Sequence, residues 1–254
     1  MVPVEVVVRE VRVPNGKNWR LTDRDVELLT WIGRWYGVTS AQVTREFMKR
    51  GVHPSAQVTY RRLRGLVAMG FLDTAQLAGR RSRVFWLTRS GMELANVPGS
   101  PGAPNIKEYH HDLAVIDLAH HIVERRPDDK LVSEREIRAR DTPNQYESHE
   151  PTWSVTTGVN EKGRRYPDLV AVDSQGRAWA HELERTRKPR PRLIRNMLLY
   201  VNAEHISFAV YWAFPELLKN VEQAAEEANK TSIELARGKK IAVRVWNPEE
   251  QGTR

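Results

Sequence analysis

Residues 164–188 read RRYPDLVAVDSQGRAWAHELERTRK. Two apolar runs, residues 169–173 and 178–184, flank turn residues at 174–176, a pattern that predicts two neighbouring strands. Side chains alternate along a strand, so Glu182 and Glu184 share one face and His181 points to the other. Pairing of the strands brings Asp168, at the start of the first, close to both glutamates. Three carboxylates on one patch repel, and only a divalent metal or basic neighbours offset that cost. Oxygen ligands of this kind suit Mg2+. Directly after Glu184 come Arg185, Arg187, Lys188, Arg190, Arg192 and Arg195 with no acid among them. The run reads as a phosphate clamp beside the carboxylates, or as simple charge compensation.

Around this hairpin the periodicities predict a helix at 109–125, a strand at 130–138, an irregular stretch at 141–163, a helix at 190–202, a strand at 206–214, a helix at 215–228 and a strand at 241–246. The class is α/β, α+β overall. In this setting the sequence resembles the PD-(D/E)XK nuclease superfamily, whose restriction-endonuclease-like mixed sheet is flanked by helices. Pro167-Asp168 looks like the PD of that family, and Glu182-Leu183-Glu184 stands where its (D/E)XK does, with Glu184 at the lysine position. The resemblance implies Asp168 and Glu182 as ligands of Mg2+ or Mn2+, and Glu184 as a third ligand or a base, so that these three are the candidate catalytic residues. Two further candidates are Glu134, expected on the first strand, and His111, the histidine of 110–111 and 120–121 expected to face the site. The pairs lie ten residues apart and otherwise fit ordinary helix positions. Tyr166 is a lone tyrosine and does not carry a covalent mechanism.

The amino-terminal part has a different character. From residue 1 to 96 there are 16 Lys/Arg and 8 Asp/Glu, whereas the remainder balances at 24 of each, so the whole net charge of +8 resides in the first part. Such an excess is what a phosphate-contacting module needs. Alternation at Val4, Val6 and Val8 predicts a strand within an arm at 1–20. Thr22 is the expected cap of a helix that Gly37 ends, a second helix is expected from Ser40 to about Met48, and a third precedes Gly70. On this third helix Leu63 and Leu66 point one way, and Gln57, Arg61 and Arg64, with Tyr60 beside them, point the other. Arg and Gln make the bidentate base pairings that major-groove geometry favours. Two strand-like runs then enclose a turn carrying Arg80 and Arg81, with Arg83 just after it. Three helices and a cationic hairpin resemble a winged helix-turn-helix, over residues 21–96. Trp31, Trp35 and Trp86 read as core.

The segment VPGSPGAPN at 97–105 is the expected linker to a nuclease-like domain at 106–254. The chain has no cysteine, which excludes disulfides, thiolate metal sites and a thiol nucleophile. No run is long and apolar enough for a membrane span, and the start lacks a signal-peptide pattern, so a cytoplasmic location and no membrane partner are expected. Taken whole, the segments RRLRGLVAMGFL, FWLTRSG, YHHDLAVIDLAHH, LVSEREIR and RRYPDLVAVDSQGRAWAHELERTR resemble the replication-relaxation family of actinobacterial plasmids, phages and integrated elements. That resemblance implies participation in replication or relaxation of mobile-element DNA; the partners expected are double-stranded DNA, a second copy of the chain and replication proteins. Two expectations stand side by side: a metal-dependent DNA nickase or endonuclease, and a non-catalytic DNA-binding replication or transcription factor that uses a nuclease-like fold for binding or dimerisation.

Overall fold

Thr22 turns the chain from extended to helical. Its side chain and backbone N–H both engage Asp25, a capping box that satisfies orphan donors at the helix start. In the computed structural model, which describes residues 10–12, 18–52, 54–76, 82–105, 107–142, 150–157 and 163–247, backbone contacts divide the chain into two compact units, Met1–Ile116 and Asp117–Arg254. Val4, Val6 and Val8 lie outside the described residues.

The first unit opens with a hairpin of β1 (Glu10–Arg12) and β2 (Asn18–Arg20). Then come α1 (Asp23–Gly33), β3 (Val38–Thr39), α2 (Ser40–Lys49), α3 (Ala56–Ala68), β4 (Leu72–Gln76), β5 (Arg83–Leu87) and α4 (Arg89–Leu94). The three strands form an antiparallel sheet in the order β3-β5-β4, with Leu72 opposite Leu87 and Gln76 opposite Arg83. Its core is Leu28, Leu29, Ile32, Leu63, Leu66, Leu72, Phe85 and Leu87, all buried. Trp31 and Trp35 are buried against it, edge to face with ring centroids 6.3 Å apart. Gly70, at φ +79°, closes the turn after α3 in a conformation that favours glycine.

One expectation is corrected here: α1 ends at Gly33, not at Gly37. Both glycines serve close packing instead. A Cβ on Gly33 would lie 2.5 Å from Val97, and one on Gly37 would lie 2.7 Å from Pro104. Residues 97–105, read as a linker, thus contribute Val97 and Pro104 to the packing of the first unit.

The division between units falls within α5 (Tyr109–Arg125). Beyond it follow β6 (Lys130–Ser133), α6 (Glu134–Asp141), β7 (Val155–Thr156), β8 (Arg164–Arg165), β9 (Leu169–Val172), β10 (Ala178–Glu184), α7 (Arg190–Asn202), β11 (Phe208–Ala213), α8 (Leu218–Glu234) and β12 (Ile241–Val245). Five strands make a mixed sheet in the order β12-β11-β10-β9-β6. The pairs β10/β11 and β11/β12 are parallel, and β9 is antiparallel to both β10 and β6. The class is mixed α/β, as expected.

Asp173 shapes the hairpin between β9 and β10. Its Oδ1 accepts the Gln175 and Arg177 amides, both at 3.0 Å, and its Oδ2 accepts Arg177 Nε and Trp179 Nε1. On one face of the sheet, small Ala178, Ala180, Ala209 and Ala213 let α7 and α8 approach closely, with Leu193, Met197, Tyr200, Val221 and Ala224 filling the interior. The opposite face holds stacked Trp179 and Phe208, 4.4 Å apart, and Trp212 edge-on to His121 and Trp246.

The run at 130–138 is a second correction. The strand stops at Ser133, and α6 begins there because Ser133 and Glu136 form a reciprocal capping box. Among the described residues, no helix is long and apolar enough to cross a membrane.

Candidate functional site

On α3 of the first unit, Gln57, Arg61 and Arg64 are exposed in one row, and Tyr60 is half-buried, edge-on to Phe85 at 6.1 Å. Val58, 46% exposed, belongs to the same outer surface and was not singled out from the sequence. Arg62 turns the other way. Its Nε donates to Asp25 Oδ1 at 2.5 Å, its Nη2 bonds Asp25 Oδ2, and Nη2 also reaches the Arg20 carbonyl at 2.8 Å. The carboxylate that caps α1 therefore also fastens α3. Arg83 is exposed at the start of β5, while Arg80 and Arg81 lie outside the described residues.

In the second unit, period-2 alternation sets Glu182 and Glu184 on the α7/α8 face of β10, and both are buried. Asp168 is half-buried, and its Oδ2 accepts the Leu183 amide at 2.7 Å. The three carboxylates are thus brought together as the strand pairing requires. His181 points to the opposite face, where its Nδ1 accepts Trp212 Nε1 at 3.0 Å.

The cost of the carboxylate cluster is met by basic neighbours. Arg165 Nη2 donates to Glu182 Oε2 at 2.5 Å, and Tyr200, fully buried on α7, donates its hydroxyl to Glu182 Oε1. Lys188 Nζ lies 2.9 Å from Glu184 Oε1 and 2.8 Å from Oε2. Burial pushes the Glu182 carboxyl up to about 7, and the negative charges of Asp168 and Glu184 add to this while Arg165 and Tyr200 pull it down. Burial opposes the charge on Arg165 as well. Glu182 and the two buried tyrosine hydroxyls outweigh it, so the guanidinium is held above its ordinary range and stays charged. Burial, then Glu182, keeps the Tyr200 hydroxyl protonated and able to donate.

Both oxygens of Glu182 accept hydrogen bonds, from Arg165 and Tyr200, Glu184 Oε1 accepts one from Lys188 while its buried Oε2 has that ammonium only as an ion-pair neighbour, and among the described residues no group of three or more His, Asp or Glu is placed to hold a metal ion. As arranged, the residues do not fit Mg2+ or Mn2+, which need several converging oxygens.

The basic run divides by role. Lys188 belongs to the cluster, Arg190 bonds Gln223, and Arg185 lies over the Phe214 ring at 5.8 Å. Arg187, Arg192 and Arg195 are exposed. Glu134 stands on α6 rather than on a strand. Its N–H donates to the Asp168 carbonyl at 3.1 Å and its carboxylate pairs with Arg138 at 2.7 Å. His111 is half-buried in the part of α5 assigned to the first unit. Tyr166 has a structural setting, with its hydroxyl 3.0 Å from Thr142 Oγ1 and Arg138 over its ring at 4.2 Å.

Arg165 and Tyr200 were missed from the sequence. The first stands in RRYPD, three residues before Asp168, which is the one local signal for it. Tyr200 reaches Glu182 only through the packing of α7 on the sheet, which no local pattern encodes. Comparison with protein-family models, with curated proteins and with solved structures finds no match to this chain.

Proposed function

We propose that the chain is a duplex-DNA-binding protein whose first unit is a winged helix-turn-helix and whose second is a PD-(D/E)XK-like fold used for binding rather than hydrolysis. The observation that carries this reading is the division of labour on α3. Arg62 faces inward onto Asp25, while Gln57, Arg61 and Arg64 form an exposed row with the spacing that a major groove accepts. The net charge of +8 resides on the same part of the chain, and exposed Arg187, Arg192 and Arg195 offer the second unit a way to hold phosphates. Taken with the resemblance to the replication-relaxation family, the reading assigns the duplex to a plasmid or phage, with a second copy and replication proteins as partners.

The test is binding of the full chain to duplexes selected from a random library, followed over a salt series. Affinity should fall steeply with salt, and Arg61→Ala and Arg64→Ala should each cost about 1–3 kcal/mol and relax specificity. Absence of salt-sensitive duplex binding overturns the reading.

A second reading, metal-dependent nicking, is favoured by the meeting of Asp168, Glu182 and Glu184 in one cluster. It requires Arg165 to leave Glu182. Supercoiled DNA bearing the native origin, incubated with Mg2+ or Mn2+ against EDTA, decides it, because open circles appear only if the chain cleaves.

A further inference from the structure

The carboxylate cluster poses a question of its own, independent of whether the chain binds DNA. Three acids meet on a largely buried patch, and buried carboxylates of like sign are tolerated only where a proton or a cation neutralises them. Oxygen clusters of this kind are usually completed by a divalent metal. Here a guanidinium is already paired with Glu182, the member of the cluster whose carboxyl feels the charges of both Asp168 and Glu184. β8 pairs with β7 so that Arg165 sits opposite Val155, and this short ladder delivers the Arg165 side chain to Glu182 Oε2 at 2.5 Å. Tyr200 occupies Oε1, and Lys188 spans both oxygens of Glu184. The Arg165 side chain is 23% exposed against 4% for Glu182, so the guanidinium closes the cluster on its outer side.

We propose that Arg165 is the resident cation of the Asp168/Glu182/Glu184 cluster, standing where a divalent metal would otherwise be held. Arginine suits the place because it is charged at every accessible pH and presents a planar fork to carboxylate. Tyr211 adds an independent observation. Its hydroxyl is fully buried, has no hydrogen-bond partner among the described residues, and senses the charges of Glu182, Arg165, Glu184 and Asp168. A polar atom without a partner at this point marks hydrogen-bonding capacity that the guanidinium leaves unused.

Two consequences follow. The parent chain should neither take up a divalent cation at this cluster nor need one to fold. Removing the guanidinium leaves buried Glu182 without the cation paired to its Oε2, beside Asp168 and Glu184, and the vacated position then gains affinity for a divalent cation.

The experiment compares the full-length parent, Arg165→Met, Arg165→Lys and the double variant Arg165→Met/Glu182→Gln, each with and without millimolar Mn2+. Thermal unfolding and bound Mn2+ counted by electron paramagnetic resonance are the readouts. The parent and Arg165→Lys are expected to show no shift. Arg165→Met should unfold earlier in EDTA, regain several degrees with Mn2+, and bind one ion that the double variant loses. If Arg165→Met fails to fold in EDTA, recovery of the fold by Mn2+ supports the proposal and failure to recover overturns it. A folded Arg165→Met that ignores Mn2+ also overturns it, as does a parent that is stabilised by Mn2+ as much as Arg165→Met is, or a double variant that still binds the ion. None of these readouts involves DNA, so failure here and failure of the DNA-binding reading are told apart.

Discussion

Asp168 Oδ2 accepts the Leu183 amide at 2.7 Å, and this one bond joins the entrance of β9 to the middle of the Glu182-Leu183-Glu184 tripeptide. Through it a charged group is held where two more of the same sign already stand. The bond and the repulsion act in opposite senses, and substitution separates them. Asp168→Ala loses the acceptor and should destabilise by about 1–2 kcal/mol, the cost of leaving a donor unpaired offset in part by relief of repulsion. Asp168→Asn keeps an oxygen for the Leu183 amide and drops the charge, so its urea midpoint should match or exceed the parent's. An Asn variant as unstable as the Ala variant would refute this account.

Arg61, Arg62 and Arg64 lie within one turn of α3, and the structure gives them different tasks. Arg62→Ala removes the partner of a buried carboxylate that also caps α1, so it should cost about 2–4 kcal/mol of stability. Arg61→Ala and Arg64→Ala, on the exposed side, should change the unfolding midpoint by less than about 0.5 kcal/mol while weakening DNA binding. Thermal denaturation of the three variants, run beside duplex-binding assays, checks both halves. Equal destabilisation by all three would remove the distinction on which the reading of α3 rests.

The sequence made these arginines visible as a cluster, and the outward row could be read from the spacing alone. That Arg62 differs from its neighbours could not, because its partner Asp25 lies 37 residues away and the pairing depends on how α1 packs against α3. The same holds in the second unit. Alternation in AWAHELE placed Glu182 and Glu184 on one face and His181 on the other, since that depends on backbone geometry only. Which cation would face the carboxylates was not legible. Lys188 is four residues from Glu184 and was within reach of local reasoning, but Tyr200 comes from α7 and Arg165 from a two-residue ladder with no periodicity to announce it. The misread strand at 130–138 had a local signal that apolar alternation concealed: Ser133 and Glu136 spell a helix start.

Two buried groups titrate in opposite senses. Burial, aided by the charge of Arg126, holds the His181 imidazole down to about 3 from an ordinary 6.5. The unfolded chain therefore takes up a proton that the folded chain refuses, and this contribution to stability, full above about 6.5, is lost as pH falls toward 3, on the order of a few kcal/mol in all. Glu182, raised from 4.5 to about 7, does the reverse: its contribution is full below about 4.5 and is lost as pH rises through 7. Between these limits the slopes oppose each other. His181→Phe removes one of them, so the variant's unfolding midpoint should rise on acidification from pH 7 to 5 where the parent's stays flat or falls. Superimposable pH profiles for parent and variant would show that His181 does not supply the opposing slope.

Glu184 and Lys188 form a pair whose members are unequally placed, and that inequality predicts an asymmetric response. The Glu184 side chain is 2% exposed, whereas that of Lys188 is 26% exposed. Lys188→Ala strands a buried carboxylate next to Asp168 and Glu182, and a cost of about 3–5 kcal/mol is expected for a buried charge left without its partner. Glu184→Gln strands instead a lysine that can swing its ammonium into water, so about 1 kcal/mol is expected. The double variant should fall closer to Glu184→Gln than to Lys188→Ala, because once the acid is neutral the lysine has nothing left to compensate. Released from Glu184, Lys188 also joins exposed Arg187, Arg192 and Arg195, and the loss of one negative charge beside them should tighten non-specific duplex binding by about 0.5–1 kcal/mol at low salt. Urea denaturation of the four proteins gives the first comparison, and anisotropy titrations at two salt concentrations give the second. If Lys188→Ala costs no more than Glu184→Gln, Glu184 does not depend on Lys188 for its charge, and the account of how this cluster is neutralised fails on that side.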